Sequence, residues 1–433
     1  MTLAPGFGEA VLVWLRIGCL SFGGPAGQIA LMHRILVEEK RWISEPRFLH
    51  ALNYCMLLPG PEAQQLAVYV GWLLHRTLGG VVAGLLFVLP GALVMQALAA
   101  LYAGFHALAP VAALFFGIKA AVLAIVIEAL LRISRRALRN GWLYVLAGAS
   151  FLALFLFGLP FPLVILMAGL IGFSQASSRV FEQPPHEEEP LPDHTRPRPG
   201  QSLRVLLIWG TVWLLPLLLL VLLLGRGHVL TEIGLFFSQM AVVTFGGAYA
   251  VLSYVAQEAV QQFGWLAPGE MFDGLGLAET TPGPLILVLE FVGFLAAFRD
   301  SGMVNPYVMG AFGALVVLWM TFAPCFLWIF LGAPYIEVIR GNRRLNAALT
   351  AITAAVCGVI LNLSLWFALH VLFRDMVSVR IGGVAVSLPE VASFDGEAFM
   401  LALVAALAVF YLRLGILPVL GLSAGLGILM KAL

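Results

Sequence analysis

One pattern occurs twice in this chain, 223 residues apart. Ser21-Phe22-Gly23-Gly24 returns as Thr244-Phe245-Gly246-Gly247, Trp42 as Trp265, and Pro59-Gly60-Pro61 as Pro282-Gly283-Pro284, all without a gap. The repeated residues are helix breakers, and they sit in stretches apolar enough for a membrane. A helix interrupted inside a bilayer leaves backbone groups that protein or cavity water must satisfy, so paired breaks in two halves point to a transport site. The chain therefore reads as a secondary transporter.

Composition agrees with that reading. Hydrophobic residues make up 61% of the chain and charged residues 11%, against about 25% charged in soluble domains, so most of the surface faces lipid. A net charge of +1 with scattered arginines excludes the basic stripe of a nucleic-acid binder. Cys19, Cys55, Cys325 and Cys357 stand singly in apolar segments and read as small hydrophobes. No metal set, cofactor motif or nucleophile–base pair is visible, which disfavours an intramembrane enzyme. The first apolar stretch contains Arg16 and no cleavage-like site, so it is expected to be retained.

Six apolar segments, one further segment and six more follow one another along the chain. The expected division is a first repeat over 1–175, a disordered cytoplasmic linker over 176–203, a single transmembrane helix over 204–224 and a second repeat over 225–433. The linker is rich in proline and carries Glu187-Glu188-Glu189, with little to bury. His186-Glu187-Glu188 lacks the second histidine of a zinc-protease motif. The repeat continues at an offset of 234 after an 11-residue insertion, with Phe87-Val88-Leu89-Pro90 matching Thr321-Phe322-Ala323-Pro324 and Ala120-Ala121-Val122 matching Ala354-Ala355-Val356. One odd helix between the halves inverts the second, so the expected fold is an all-α polytopic membrane protein of two inverted-topology repeats. A small β-hairpin is expected around Gly382-Gly383.

As one helix, segment 8–38 would be about 46 Å long at 1.5 Å per residue, against a hydrocarbon core of about 30 Å. Folded back at Gly23-Gly24, it re-enters instead of spanning. The same holds for 46–76 about Pro59-Gly60-Pro61 and for both second-half copies. Re-entrance places Arg34, Lys40, Arg41 and Arg47 inside with the amino terminus and sharpens the positive-inside bias, while the matching second-half loop at Gln261-Gln262 has no positive charge.

Restarted helices offer anion sites, because the first turn presents unpaired N–H groups and the positive end of the dipole. The candidate binding residues are Ser21, Gly23, Gly24, Pro25, Pro59, Gly60, Pro61, Gln64 and Gln65 in the first half. In the second half they are Thr244, Gly246, Gly247, Thr280, Thr281, Pro282, Gly283 and Pro284. The alternative is that these glycines and prolines only permit close packing or a kink. Charged residues inside apolar segments are Arg16, Glu62, Lys119, Glu128, Glu279 and Glu290, and each is a functional candidate by default. Arg16, Glu62, Lys119 and Glu279 are the charge-coupling candidates. Arg16 is placed to reach the anion or to pair with a carboxylate such as Glu62. Glu62 is placed to couple protons to anion movement or simply to stabilise a helix start.

The chain resembles the chromate ion transporter family in its long, two-domain form. The resemblance rests on Ser21-Phe22-Gly23-Gly24-Pro25, Arg41-Trp42, Leu57-Leu58-Pro59-Gly60-Pro61-Glu62-Ala63-Gln64-Gln65-Leu66, Gly71-Trp72, Thr244-Phe245-Gly246-Gly247-Ala248-Tyr249 and Gly276-Leu277-Ala278-Glu279-Thr280-Thr281-Pro282-Gly283-Pro284. It implies a multi-pass carrier of the bacterial inner membrane that expels chromate and confers resistance, with sulfate as a close analogue and other oxyanion transport as the alternative. Chromate and the lipid bilayer are the implied partners, and a homodimer is left open.

Overall fold

A computed structural model describes residues 5–22, 24–56, 58–175, 200–244, 248–267, 269–335, 343–381 and 384–432. The expected linker falls largely outside these residues. The chain is almost entirely helical, as the apolar segments require. Its helices are α1 (Phe7–Leu20), α2 (Gly24–His33), α3 (Glu45–Cys55), α4 (Glu62–Phe105), α5 (Ala109–Ala137), α6 (Gly141–Phe155), α7 (Phe161–Ser174), α8 (Gln201–Leu224), α9 (Val229–Val243), α10 (Ala248–Gln257), α11 (Glu270–Thr280), α12 (Val288–Arg299), α13 (Pro306–Gly332), α14 (Arg343–Leu372), α15 (Gly396–Ala406) and α16 (Ile416–Ala432). The expected hairpin is β1 (Met376–Ile381) antiparallel to β2 (Val384–Pro389).

The repeat reappears in backbone geometry. α2 runs into a π-helical turn at Arg34–Glu39, and α10 into one at Glu258–Gln262. The turns close alike, through Lys40 N–H to Ile35 O and Phe263 N–H to Glu258 O. Each is followed by a left-handed residue at the same repeat position, Arg41 (φ 52°) and Gly264 (φ 63°).

Five helices among the described residues are long and apolar enough to cross a membrane: α4, α5, α8, α13 and α14. α4 is in fact a hairpin. His75 (φ −137°, ψ 33°) and Arg76 (φ 55°, ψ −154°) break it, and Gly71 and Gly79 lie so close that a Cβ on either would overlap the other's carbonyl oxygen. In a continuous helix those residues would be about 12 Å apart. The second half makes this hairpin from α12 and α13, with Gly293 against Gly313. The 11-residue insertion falls at that turn.

α1, α2, α3, the first arm of α4, α9, α10, α11 and α12 have 10 to 15 residues each. At 1.5 Å per residue none crosses a core of about 30 Å alone. α1 and α2 fold back on each other: Lys40 reaches Glu9 at 2.7 Å, and Arg16 and Arg34 share Glu39 at 3.6 and 3.5 Å. His75 Nε2 lies 2.8 Å from Pro5 O. The start of α1, the loop at 40–41 and the turn at 75–76 therefore share one end.

The chain forms two compact units that do not follow the repeats. One holds α1–α3, α4 as far as Ala100, α8, α9, α12 and α13. There Trp319 Nε1 donates to Val212 O at 2.8 Å, tying α13 to α8, and Trp209 stacks on Phe326. The other holds α5–α7, most of α10, α11, α14, the hairpin, α15 and α16. There Phe272 of α11 packs on Trp366 and Phe367 of α14. Asp395 caps α15 through Ala398 N–H at 3.0 Å and takes Arg374 at 2.9 Å. Burial alone would raise the Asp395 carboxyl, but the Ala398 N–H and the Arg374 guanidinium hold it below the ordinary carboxylate value. That contribution to stability is present above the ordinary value and is lost as pH falls through the lowered one.

The Gly71–Gly79 contact yields a direct expectation. Gly79→Val should destabilise the protein by about 1–3 kcal/mol through overpacking, lowering its thermal unfolding temperature in detergent. Gly148→Val, where a Cβ meets nothing within 4 Å, should leave that temperature nearly unchanged.

Candidate functional site

The breaks of the two halves meet within the first unit. α1 ends at Ser21 (φ −78°, ψ 83°) and α9 ends at Thr244 (φ −77°, ψ 88°), nearly identical geometries that leave each carbonyl pointing out of its helix. Each carbonyl is taken by the other half. Gly60 N–H donates to Thr244 O at 2.7 Å, and Gly283 N–H donates to Ser21 O at 2.7 Å. Shifted by the repeat offset, each bond becomes the other, so the halves are related here by a local two-fold.

The donors need glycine. Gly60 has φ 116° and Gly283 φ 92°, regions that residues with a Cβ rarely occupy. A Cβ on Gly60 would lie 2.9 Å from Gln65 Nε2 and 3.0 Å from Cys325 Sγ; one on Gly283 would lie 3.1 Å from Leu287 Cδ1 and 3.5 Å from Gly91 Cα. Gly91 and Cys325 are themselves repeat counterparts. Gly24 also has positive φ (69°) but nothing within 4 Å of a Cβ, so its requirement is conformational alone. Gly23, Gly246 and Gly247 lie outside the described residues. Pro25 is the second residue of α2, and Pro61 directly precedes α4, one position earlier than expected of a first helical residue.

The neutral donors divide in two. Ser21 Oγ donates to Ile17 O at 2.7 Å, Thr244 Oγ1 to Met240 O, and Thr280 Oγ1 to Leu277 O at 2.8 Å. All three hydroxyl protons return to their own helices, so in this arrangement none is offered to a ligand. Gln65 Nε2 donates to Pro59 O at 2.7 Å and braces the turn. Gln64, one position earlier, is fully buried with neither amide atom partnered. It lies in the first turn of α4, whose opening N–H groups have no intrahelical acceptor. Thr281, Pro282, Gly283 and Pro284 are buried.

The charged candidates separate. Arg16 pairs with a carboxylate, as one of its two expected roles has it, but the partner is Glu39 at 3.6 Å and not Glu62, and the side chain is about half exposed. Glu62 opens α4. Glu279 is buried near the end of α11. Lys119, in the second unit, lies 3.3 Å from Asp273 Oδ2, which also accepts Tyr102 OH at 2.7 Å.

Two further buried polar residues of the first unit stand out although no motif marks them. Gln28 Nε2 donates to Gly283 O at 2.5 Å, adding a second tie at the crossing. Glu290, distinguished in the sequence only by its charge, is fully buried in the first turn of α12 with neither oxygen partnered. Among the described residues no group of His, Cys, Asp and Glu could hold a metal ion.

Gly60→Ala and Gly283→Ala should each cost roughly 1–3 kcal/mol of backbone strain and also disturb the crossing. Both should therefore lower the unfolding temperature and impair transport. Gly24→Ala, free of steric conflict, should be the mildest of the three by both measures.

Comparison with known proteins finds the same two-fold repetition. The chromate transporter family profile matches residues 8–173 and again 231–428, once on each repeat. The chromate transport protein of Pseudomonas aeruginosa is 33% identical over 356 residues, covering 80% of this chain and 77% of that one. The probable chromate transport protein of Synechococcus elongatus is 30% identical, covering 80% and 81%. The chromate transport protein of Cupriavidus metallidurans is 29% identical, covering 81% of this chain and 80% of that one. No solved structure matches. A chain matched by one profile on both of its halves, over most of its length, belongs to the chromate transporter family.

Proposed function

We propose that this chain exports chromate from the cytoplasm across the bacterial inner membrane and so confers chromate resistance. The observation that carries the site is Gln64, a buried amide with no protein partner at the start of α4, beside the glycine crossing. A tetrahedral dianion there would receive hydrogen bonds from the Gln64 amide and the first-turn N–H groups of α4, in the positive end of the helix dipole. Outward movement of a dianion from a negative-inside cell is electrically downhill by about 2.3 kcal/mol per charge per 100 mV. Sulfate shares chromate's shape and charge and is the second substrate this chemistry admits.

In this reading the amino terminus, Lys40 and Arg41 lie in the cytoplasm, the linker at 176–203 is cytoplasmic, and α8 inverts the second half. The common end shared by the α1 start, the 40–41 loop and the 75–76 turn supports the first part. Cysteine labelling at positions 40 and 262 should occur from opposite sides. Labelling of both from one side would sink the inverted arrangement.

Everted membrane vesicles should take up labelled chromate, with competition by sulfate and loss of uptake when the driving gradient collapses. Gln64→Leu should weaken chromate affinity by a charge-assisted hydrogen bond, about 1.5–3 kcal/mol or roughly 10- to 150-fold. Unaltered half-saturation in Gln64→Leu vesicles would move the anion elsewhere. Saturable exchange of bound for free anion would separate a carrier from a channel.

A further inference from the structure

We propose that Glu290 is an intramembrane proton site, its carboxyl protonated in the arrangement seen here and exchanging that proton during the transport cycle. The inference rests on the transporter reading above but not on the identity of the anion. Glu290 has no exposed surface, and neither carboxylate oxygen has a hydrogen-bond partner. Among the described residues no lysine, arginine or histidine lies within 4 Å of it. A buried carboxylate cannot remain ionised at such a place without a donor or counter-ion, whereas the neutral acid can.

Among the described residues, no side chain on the elements packed against α12 donates to the Glu290 carboxyl. α13 carries Tyr307 and Cys325; α9 carries Glu232, with His228 as its cap; and the turn at 285–287 has no titratable group. Leu287 also approaches Gly91 of α4, whose titratable side chains within this unit are Glu62, Tyr69, His75 and Arg76. On α12 itself the other charge is Arg299, at the opposite end of the helix.

The position links the group to the site. Glu290 stands seven residues after Gly283, the glycine whose N–H and carbonyl are held by Ser21 and Gln28. Its repeat counterpart is Ala67, so one carboxyl serves the pair of half-sites. Glu62 is a weaker candidate, because it occupies an ordinary first-turn position only partly shielded from solvent. A carboxyl that must be neutral while a dianion is nearby, and that can ionise when the anion has left, makes proton and anion occupancy depend on each other.

The test reads the proton directly. Infrared spectra of the purified protein at neutral pH should contain a protonated-carboxyl C=O band that is missing from Glu290→Gln. Transport by Glu290→Gln in proteoliposomes, whatever its rate, should no longer vary with pH as that of the parent does. An unchanged band, or a pH profile identical to the parent's, overturns the proposal, as does dependence on sodium in place of protons. If the parent moves no chromate while the band is still lost in the variant, the proton site stands and the substrate assignment fails. Should Glu290→Gln not fold, a hydrophobic carbodiimide applied to the parent decides. Modification mapped to Glu290 supports the site, and an unmodified Glu290 refutes it.

Discussion

Two backbone hydrogen bonds hold this transporter's centre together, Gly60 to Thr244 and Gly283 to Ser21, each 2.7 Å long. A helix that stops inside an apolar protein leaves carbonyls without donors, and a buried unpaired carbonyl is costly. Neither half can satisfy its own, because its Pro-Gly-Pro turn reaches across to the other half's helix end. The close approach of Gly91 and Cys325 to those turns, the fold-back of α1 on α2 and the restart of α4 and the 285–287 turn are all arranged around that exchange.

Much of this architecture is legible in the sequence. Helix breakers at a fixed offset announce the repeat, and segments too long for one upright span but broken near the middle announce arms too short to cross. The hairpin in α4 is visible as a gap between apolar segments, although its agent is a left-handed Arg76 where glycine or proline would be sought. The hydroxyls of Ser21 and Thr244 look in the sequence like ligand donors, yet a hydroxyl near a helix end commonly bonds back to the carbonyl four residues earlier, and these do.

Partnerships between distant residues are not legible in this way. Nothing local joins Lys119 to Asp273 or Arg16 to Glu39, because pairing is decided by packing rather than by sequence neighbourhood. Gln28 and Glu290 do leave a signal, since each is a polar residue in an apolar run. What the run does not reveal is which polar groups find partners, and that is what separates the bracing Gln65 from the unpartnered Gln64 beside it.

The two reciprocal bonds of the crossing join main-chain atoms only, which has a consequence for how duplicated halves can drift apart. Once glycine is kept at two places, the residues beside it are released from holding the architecture and are free to change in character. The first copy shows Glu62, Gln64 and Gln65 where the second shows Leu285, Leu287 and Val288, and the second shows Glu290 where the first shows Ala67. Symmetry in the scaffold thus permits a division of labour in chemistry, which in the reading proposed above leaves one copy to hold the ligand and its twin to carry the proton.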